Sequence, residues 1–197
     1  WLLRGHLATG LVAVALVALW AALSGGLHLD GLADVFDALG GGQGDRQRRL
    51  AILRDSRIGA HGAAALCLFL LAKVLAVGVL VERNAPWLLF AAPVLARAAV
   101  VGLVVFFPYA RPEGLGRAFH AHGCARHVLW AMGLAAAGVA GVGVAVLVPS
   151  VCAVTVSAAV GAWLWQRFGG LTGDAYGAAI ELSELAFLVA AGAIRFG

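Results

Sequence analysis

Three aspartates, Asp30, Asp34 and Asp37, stand in Gly25–Gly42 (GGLHLDGLADVFDALGGG), a stretch otherwise made mostly of Leu, Ala, Val, Phe and Gly. Their spacing is i, i+4, i+7. At roughly 100° per residue this brings the three Cβ atoms within an arc of about 60° on one helix face. Like charges at these separations weaken a helix, so something positive should sit against that face. Mg²⁺ is the simplest candidate, because it takes carboxylate oxygens, keeps several waters and suits a site that also receives phosphate. A solvated helix face is the plain alternative. The apolar residues in between and the nearly uncharged run before them favour a functional acidic site.

A second acidic set, Asp174, Glu181 and Glu184, lies within GGLTGDAYGAAIELSEL. Offsets of i, i+7 and i+10 keep the three within about 80° on one helix face. Carboxylates inside a membrane are costly and turn inward, so this face should point into a bundle. Pairing with Lys73 or Arg97 is the plain reading for Glu181 and Glu184, and helix N-capping is the plain reading for Asp174. The basic side of a site would come from Arg54, Arg57 and Arg111, since the planar fork of arginine binds phosphate in bidentate fashion. Arg54-Asp55-Ser56-Arg57-Ile58-Gly59 also adds a carboxylate and a hydroxyl where an apolar helix begins, and a helix N-terminus suits an anion. Arg46, Arg48 and Arg49 fit anchoring to lipid headgroups. His28 and His61 could adjoin the site or simply pack. No Ser-His-Asp arrangement, phosphate-binding loop or dinucleotide fingerprint is present.

The elements that must position these groups are membrane helices. The chain is 62% hydrophobic with 12% charged residues and a mean hydropathy of +0.95, against about 25% charged residues in soluble domains. Composition alone predicts an all-α, polytopic membrane bundle forming a single domain over residues 1–197. The net charge of +4 belongs to arginines flanking the spans rather than to a nucleic-acid surface. Cys67, Cys124 and Cys152 have no metal-ligand spacing and form no disulfide framework. The chain opens at Trp1 without Met, so a preceding segment is expected.

About six crossings are expected. Leu7–Leu23 is just long enough to span a bilayer of roughly 30 Å and leads into the acidic helix, which should end at Gly40-Gly41-Gly42. Asp45–Arg57 reads as a short basic amphipathic helix on the membrane surface. Ile58–Val81 and Pro86–Phe107 are the next spans, joined by Glu82–Ala85. Pro108–Arg126 is a polar loop carrying Arg111, Glu113, Arg117, His120 and His122. His127–Val148 follows, then a turn at Pro149-Ser150, then Val151–Phe168 with Trp163 and Trp165 as interface anchors, and last Asp174–Ile194. Gly173-xxx-Gly177 fits close helix packing. The loops after runs one, three and five hold nine arginines (46, 48, 49, 54, 57, 111, 117, 126 and 167), and the opposite side holds three, Arg4, Arg83 and Arg195. By the positive-inside rule the first set faces the cytoplasm. The unusual polar clusters adjoin the same loops, so a single cytoplasmic site is expected. Acidic helix faces and arginines at one surface suggest metal-assisted reaction on a phosphate anhydride.

The blocks GGLHLDGLADVFDAL, LRDSRIGAHG, PYARPEGLG and GGLTGDAYGAAIELSE, in this order, resemble the cobalamin synthase family, the adenosylcobinamide-GDP ribazoletransferases. The resemblance spans about Gly25 to Glu184. It implies a Mg²⁺-dependent enzyme of the bacterial inner membrane. The family joins adenosylcobinamide-GDP to α-ribazole or its 5′-phosphate, giving adenosylcobalamin or its 5′-phosphate and GMP. On that resemblance Asp30, Asp34 and Asp37 hold metal against the pyrophosphate. Asp55 completes the metal set or acts as base, so that Asp37, Asp55 and Arg57 are the catalytic candidates. Arg54, Arg57 and Arg111 steady phosphates, and Asp174, Glu181 and Glu184 bind metal or orient the ribazole. A homo-oligomer is compatible with it, and nucleic acid is not among the expected partners. A CDP-alcohol phosphotransferase is the nearest other enzyme, but the D-G-x-x-D-x-x-D order departs from that family's D-x2-D-G-x2-A-R. An ion or proton transporter using Lys73, Arg97, Glu181 and Glu184 as a relay is the alternative outside enzymes.

Overall fold

The computed structural model describes residues 8–111 and 115–194. Arg4, Glu113 and Arg195 lie outside them. Gly-rich punctuation sets the path of the first two helices. α1 (Thr9–Leu23) is apolar throughout and stops at Ser24-Gly25-Gly26, where Gly25 and Gly26 take φ of 60° and 74°, a region that side chains with a Cβ avoid. α2 (Leu27–Gly41) carries the three aspartates and leaves at 89° to α1. α1 has 15 residues, which at 1.5 Å each reach only about 22 Å. Over the described residues α1 is thus shorter than a full crossing, and α1 and α2, bent by 89°, have the form of a broken span or a re-entrant loop.

α3 (Arg46–Ile52) is shorter than the expected surface helix, and Leu53–Gly59 is irregular. Asp45 caps it by accepting from the Gln47 N–H at 2.8 Å. α4 (Ala60–Glu82) and α5 (Pro86–Phe106) match the expected runs within two residues, and Pro86 occupies the first turn of α5, where its missing N–H costs nothing. The polar loop contains a helix that hydropathy did not show, α6 (Leu115–His122). α7 (Ala125–Val139) ends early and gives way to 3₁₀ turns at Ala140–Val142 and Val144–Val146. Gly143, with φ 76°, makes the turn there. The expected turn at Pro149-Ser150 is instead the first turn of α8 (Leu147–Phe168), a position that tolerates proline. α9 (Gly173–Ala193) follows the expected last run.

Among the described residues, four segments are long and apolar enough to cross a membrane: Ala60–Glu82, Pro86–Phe106, Val144–Phe168 and Gly173–Ala193. The bent α1–α2 pair, counted as one span, makes five, and α7 at 15 residues falls short. α9 is the central helix, packed on α2, α4, α5 and α8. It can be approached so closely because its partners present small residues. Gly177 lies against the backbone of His28, and Gly31 lies against the backbone of Asp174. Of the expected glycine pair, Gly177 thus makes the contact, and its counterpart is Gly31 on α2. One apolar cluster, with Val77, Leu80, Leu95 and Phe187, fills the end away from the aspartates; another, with Leu32, Val35, Leu164, Phe168 and Leu171, fills the end beneath them. Leu68, Leu71, Leu75, Leu129 and Trp130 remain exposed, as lipid-facing residues do.

Candidate active site

Backbone pairing draws the conserved-looking blocks to one end of the bundle. The Ala110 N–H donates to Leu171 O at 2.8 Å and the Leu171 N–H to Pro108 O at 2.7 Å, joining the PYAR and GGLTG stretches. Gly170 permits this, since a Cβ there would lie 2.7 Å from the Ala110 backbone. Thr172 caps α9 by accepting from the Ala175 N–H at 3.2 Å. The cap is therefore Thr172, and Asp174 in the first turn is left for another partner. That partner is Arg111, whose Nη2 donates to Asp174 Oδ2 at 2.9 Å and to Leu53 O at 3.1 Å. One guanidinium so ties the start of α9 to the end of α3.

The three aspartates of α2 do not share one fate. Asp37 is buried and accepts from the Gly59 N–H at 2.7 Å and the Gly62 N–H at 2.8 Å, so its carboxylate sits on the N-terminus of α4. A Cβ at either glycine would collide with that carboxylate. The helix dipole and free N–H groups at a first turn favour this negative charge. Asp30 is exposed and Asp34 half-buried. Asp34 lies within electrostatic reach of Asp30, Asp37 and Asp174 on the negative side and of Arg111 on the positive side. This end of the α2–α9 contact, the mouth, thus brings Asp30, Asp34 and Asp174 within electrostatic reach of one another, with Arg111 bonded to Asp174.

Asp55 and Arg57 pair with each other. Arg57 Nε donates to Asp55 Oδ1 at 2.9 Å and Nη2 to Oδ2 at 2.7 Å, and the Arg57 N–H adds a third bond at 3.1 Å. These bonds hold the Asp55 carboxyl at about 2, well below the ordinary carboxylate range. The pair borders an open cavity of about 400 Å³ shared with Asp37, Ile58 and His61. Arg54 is exposed beyond the end of α3.

Glu181 and Glu184 are not brought to this mouth. Lys73 Nζ donates to Glu181 Oε2 at 2.6 Å and stands 2.7 Å from Glu184 Oε1, while Arg97 Nη1 donates to Glu184 Oε2 at 2.9 Å. The Lys73 ammonium also faces the rings of Trp20 and Phe69 at 5.4 Å. The plain pairing reading thus describes both glutamates. Arg49 and Arg46 also differ from the lipid-anchor reading. Arg49 is buried with Nη1 donating to Arg167 O at 3.2 Å at the end of α8, and the Arg46 guanidinium fills the space beside Gly169. Cations at a helix C-terminus are favoured by its dipole, so these two dock α3 onto α8. Sequence reasoning also missed the ring stack at the mouth, where Tyr109 lies 6.4 Å from both His120 and Tyr176. The adjacency of PYAR to an apolar run was the available signal.

Among the described residues no three His, Cys, Asp or Glu side chains form a preassembled metal cage. That arrangement still fits Mg²⁺, which commonly uses one or two carboxylates and completes its shell with water and phosphate oxygens. Asp30, Asp34 and Asp174 supply such oxygens in excess over the cation beside them.

The family model for cobalamin-5-phosphate synthase matches residues 1–192. The chain belongs to this family. It is 46% identical over 184 residues to an adenosylcobinamide-GDP ribazoletransferase of Pseudomonas paraeruginosa, covering 91% of this chain and 74% of that protein. It is 48% identical over 178 residues to the enzyme of the same name in Pseudomonas syringae pv. syringae, covering 86% and 70%. The corresponding Pseudomonas entomophila protein is 44% identical over 195 residues, covering 95% and 79%. No solved structure matches. The cobalamin synthase assignment agrees with a transferase whose polar blocks converge on one end of a membrane bundle.

Proposed function

We propose that the chain catalyses Mg²⁺-dependent transfer from adenosylcobinamide-GDP to α-ribazole or α-ribazole 5′-phosphate at the mouth formed by α2, α9 and the Arg111 loop. The observation that carries this reading is the convergence of Asp30, Asp34, Asp174 and Arg111 at the end where the family's blocks meet. In the reaction a free ribose hydroxyl of the ribazole, other than the 5′-oxygen that the phosphorylated substrate keeps esterified, forms a bond to the phosphate bearing the cobinamide. The bond from that phosphorus to the bridging oxygen breaks, the bridging oxygen leaves with GMP, and the proton of the nucleophile passes to a carboxylate. Mg²⁺, held by Asp30, Asp34 and Asp174, would neutralise charge on the pyrophosphate and the departing GMP. Asp37 keeps α2 registered on α4 and, with one lone pair left on each oxygen, can also serve the metal. Asp55, held at about 2, is a weak proton acceptor near neutral pH, which leaves that role to a carboxylate of the mouth. Asp55 instead orients Arg57, and Arg57, Arg54 and Arg111 are the phosphate-binding groups, with Arg57 exchanging its carboxylate for phosphate as substrate enters.

The same reading sets the chain in the inner membrane with this mouth toward the cytoplasm, α7 and the Ala140–Val142 turn forming a sixth crossing. The CDP-alcohol and transporter alternatives have less support, since the deep carboxylates already have counter-ions. GMP release from adenosylcobinamide-GDP plus α-ribazole, with and without Mg²⁺, is the test. Metal-dependent GMP is the expected product; metal-independent turnover, or CMP release from a CDP-alcohol, would displace the proposal.

A further inference from the structure

α2 and α5 both pack on α9 but barely meet one another. Arg97, midway along α5, reaches across the seam between them to Glu184 on α9 and His28 on α2. Its Nη1 donates to Glu184 Oε2 at 2.9 Å and to Pro93 O at 3.0 Å, and its Nη2 lies 3.5 Å from His28 Nδ1 at the start of α2. Its companions are sealed and it is not. The Lys73 side chain is 3% exposed and Glu184 1%, whereas Arg97 is 39% and His28 22% exposed. An arginine open to hydrocarbon at mid-depth costs at least about 2.5 kcal/mol, and such residues face water or protein instead. The open edge of Arg97 therefore borders a water-filled space. The nine residues from Arg97 to the end of α5 rise roughly 14 Å to the loop where Arg111 holds Asp174.

We infer that a cleft opens along this seam from the mouth that holds the aspartates, that Arg97 and His28 form its deep subsite, and that the subsite takes an oxygen acceptor of the substrate. The inference rests on the proposed transferase reading for the identity of that substrate. Glu184 and Pro93 O fix one edge of the guanidinium, and the other edge points at His28 and the opening. A fork held in this way loses little freedom when it binds. The acceptor is a carboxamide or a phosphate oxygen, two groups that the same fork can hold.

Arg97→Lys keeps the charge beside Glu184, so the fold is preserved while the fork is lost. A rise of about tenfold or more in KM, with kcat within threefold, supports the subsite. If the rise is confined to adenosylcobinamide-GDP, the acceptor belongs to that substrate; if it is confined to α-ribazole 5′-phosphate and spares α-ribazole, the acceptor is the ribazole phosphate. Unchanged KM for all three overturns the inference. Access is measured separately by labelling a His28→Cys protein with a charged, membrane-impermeant maleimide, against the parent with its native cysteines. Labelling that adenosylcobinamide-GDP suppresses supports a water-filled cleft; labelling by an apolar maleimide alone contradicts it. Labelling needs no turnover, so the cleft and the reaction can fail independently.

Discussion

Two groups of carboxylates, one on α9 alone and the other shared between α2 and the start of α9, are handled in opposite ways. At mid-depth, Glu181 and Glu184 face Lys73 and Arg97, two negative charges against two positive ones, with contacts of 2.6–2.9 Å. At the mouth, Arg111 pairs with Asp174 at 2.9 Å, and Asp34 feels both the negative charge of Asp30 and Asp174 and the positive charge of Arg111. In the deep cluster the folded chain supplies its own counter-ions, because an unpaired charge there would oppose folding. At the mouth, water and an open approach make an excess of negative charge tolerable, and it leaves room for a cation that arrives with the substrate. The glutamates are thus structural in first effect, and the chemical role falls to the aspartates under the proposed function.

The contrast is broken most severely by removing one deep counter-ion. Lys73→Met leaves the two glutamates against Arg97 alone and should lower stability by about 3–5 kcal/mol, read as a large fall in melting temperature in detergent. Adding Glu181→Gln to that variant restores neutrality and should recover most of the loss; strictly additive damage would argue against a charge-balanced cluster. Asp34→Asn has the reverse signature. Activity should fall at least about a hundredfold, near 2.7 kcal/mol of barrier, while the melting temperature holds or rises because repulsion is relieved. Stable protein with wild-type turnover would remove Asp34 from the site.

Asp37→Ala tests a carboxylate that belongs to neither group. It deprives the first turn of α4 of its acceptor and should cost about 2 kcal/mol of stability, checked by chemical denaturation of the solubilised protein. Asp55→Asn is the mildest. The folded-state carboxyl is depressed to about 2 by Arg57, so its stabilisation is present above the ordinary carboxylate value near 4 and is lost as pH falls through about 2. The variant should be slightly less stable than the parent near neutral pH and converge with it between about pH 4 and 2, where the parent alone loses this contribution. Equal acid sensitivity in both proteins would show that the pair contributes nothing.

Much of this division can be read from residue types, and part of it cannot. The aspartate stretch, the flanking apolar runs and the shared side of the basic loops follow from period and composition, and the structure brings those loops together. Helix periodicity places Asp37 beside Asp34, but it does not show that α4 begins with Gly59 and Gly62 against that carboxylate. That depends on how two distant helices cross. The same limit separates Glu181 and Glu184 from Asp174. They share a face of α9, but seven to ten residues of rise carry the glutamates to the depth of Lys73 and Arg97. The break at Gly25-Gly26 marks a turn in any sequence reading. Its 89° angle, with α1 packed on α4 and α2 packed on α4 and α9, depends on tertiary contacts that a local reading does not contain. The displaced turn at Gly143 is a local contest in which a glycine at positive φ prevailed over a proline that a first helical turn accepts.

The claim that the mouth carries more negative charge than Arg111 balances, while the deep cluster is matched charge for charge, is tested most directly by metal binding. Mn²⁺, used as a spectroscopic stand-in for Mg²⁺, can be titrated into the purified protein with adenosylcobinamide-GDP and followed by the loss of its free-ion resonance. Saturable binding in the parent and in Glu181→Gln, with at least a tenfold weaker site in Asp34→Asn, is the result expected. Binding unaffected by Asp34→Asn but abolished by Glu181→Gln would place the metal in the deep cluster and contradict the account.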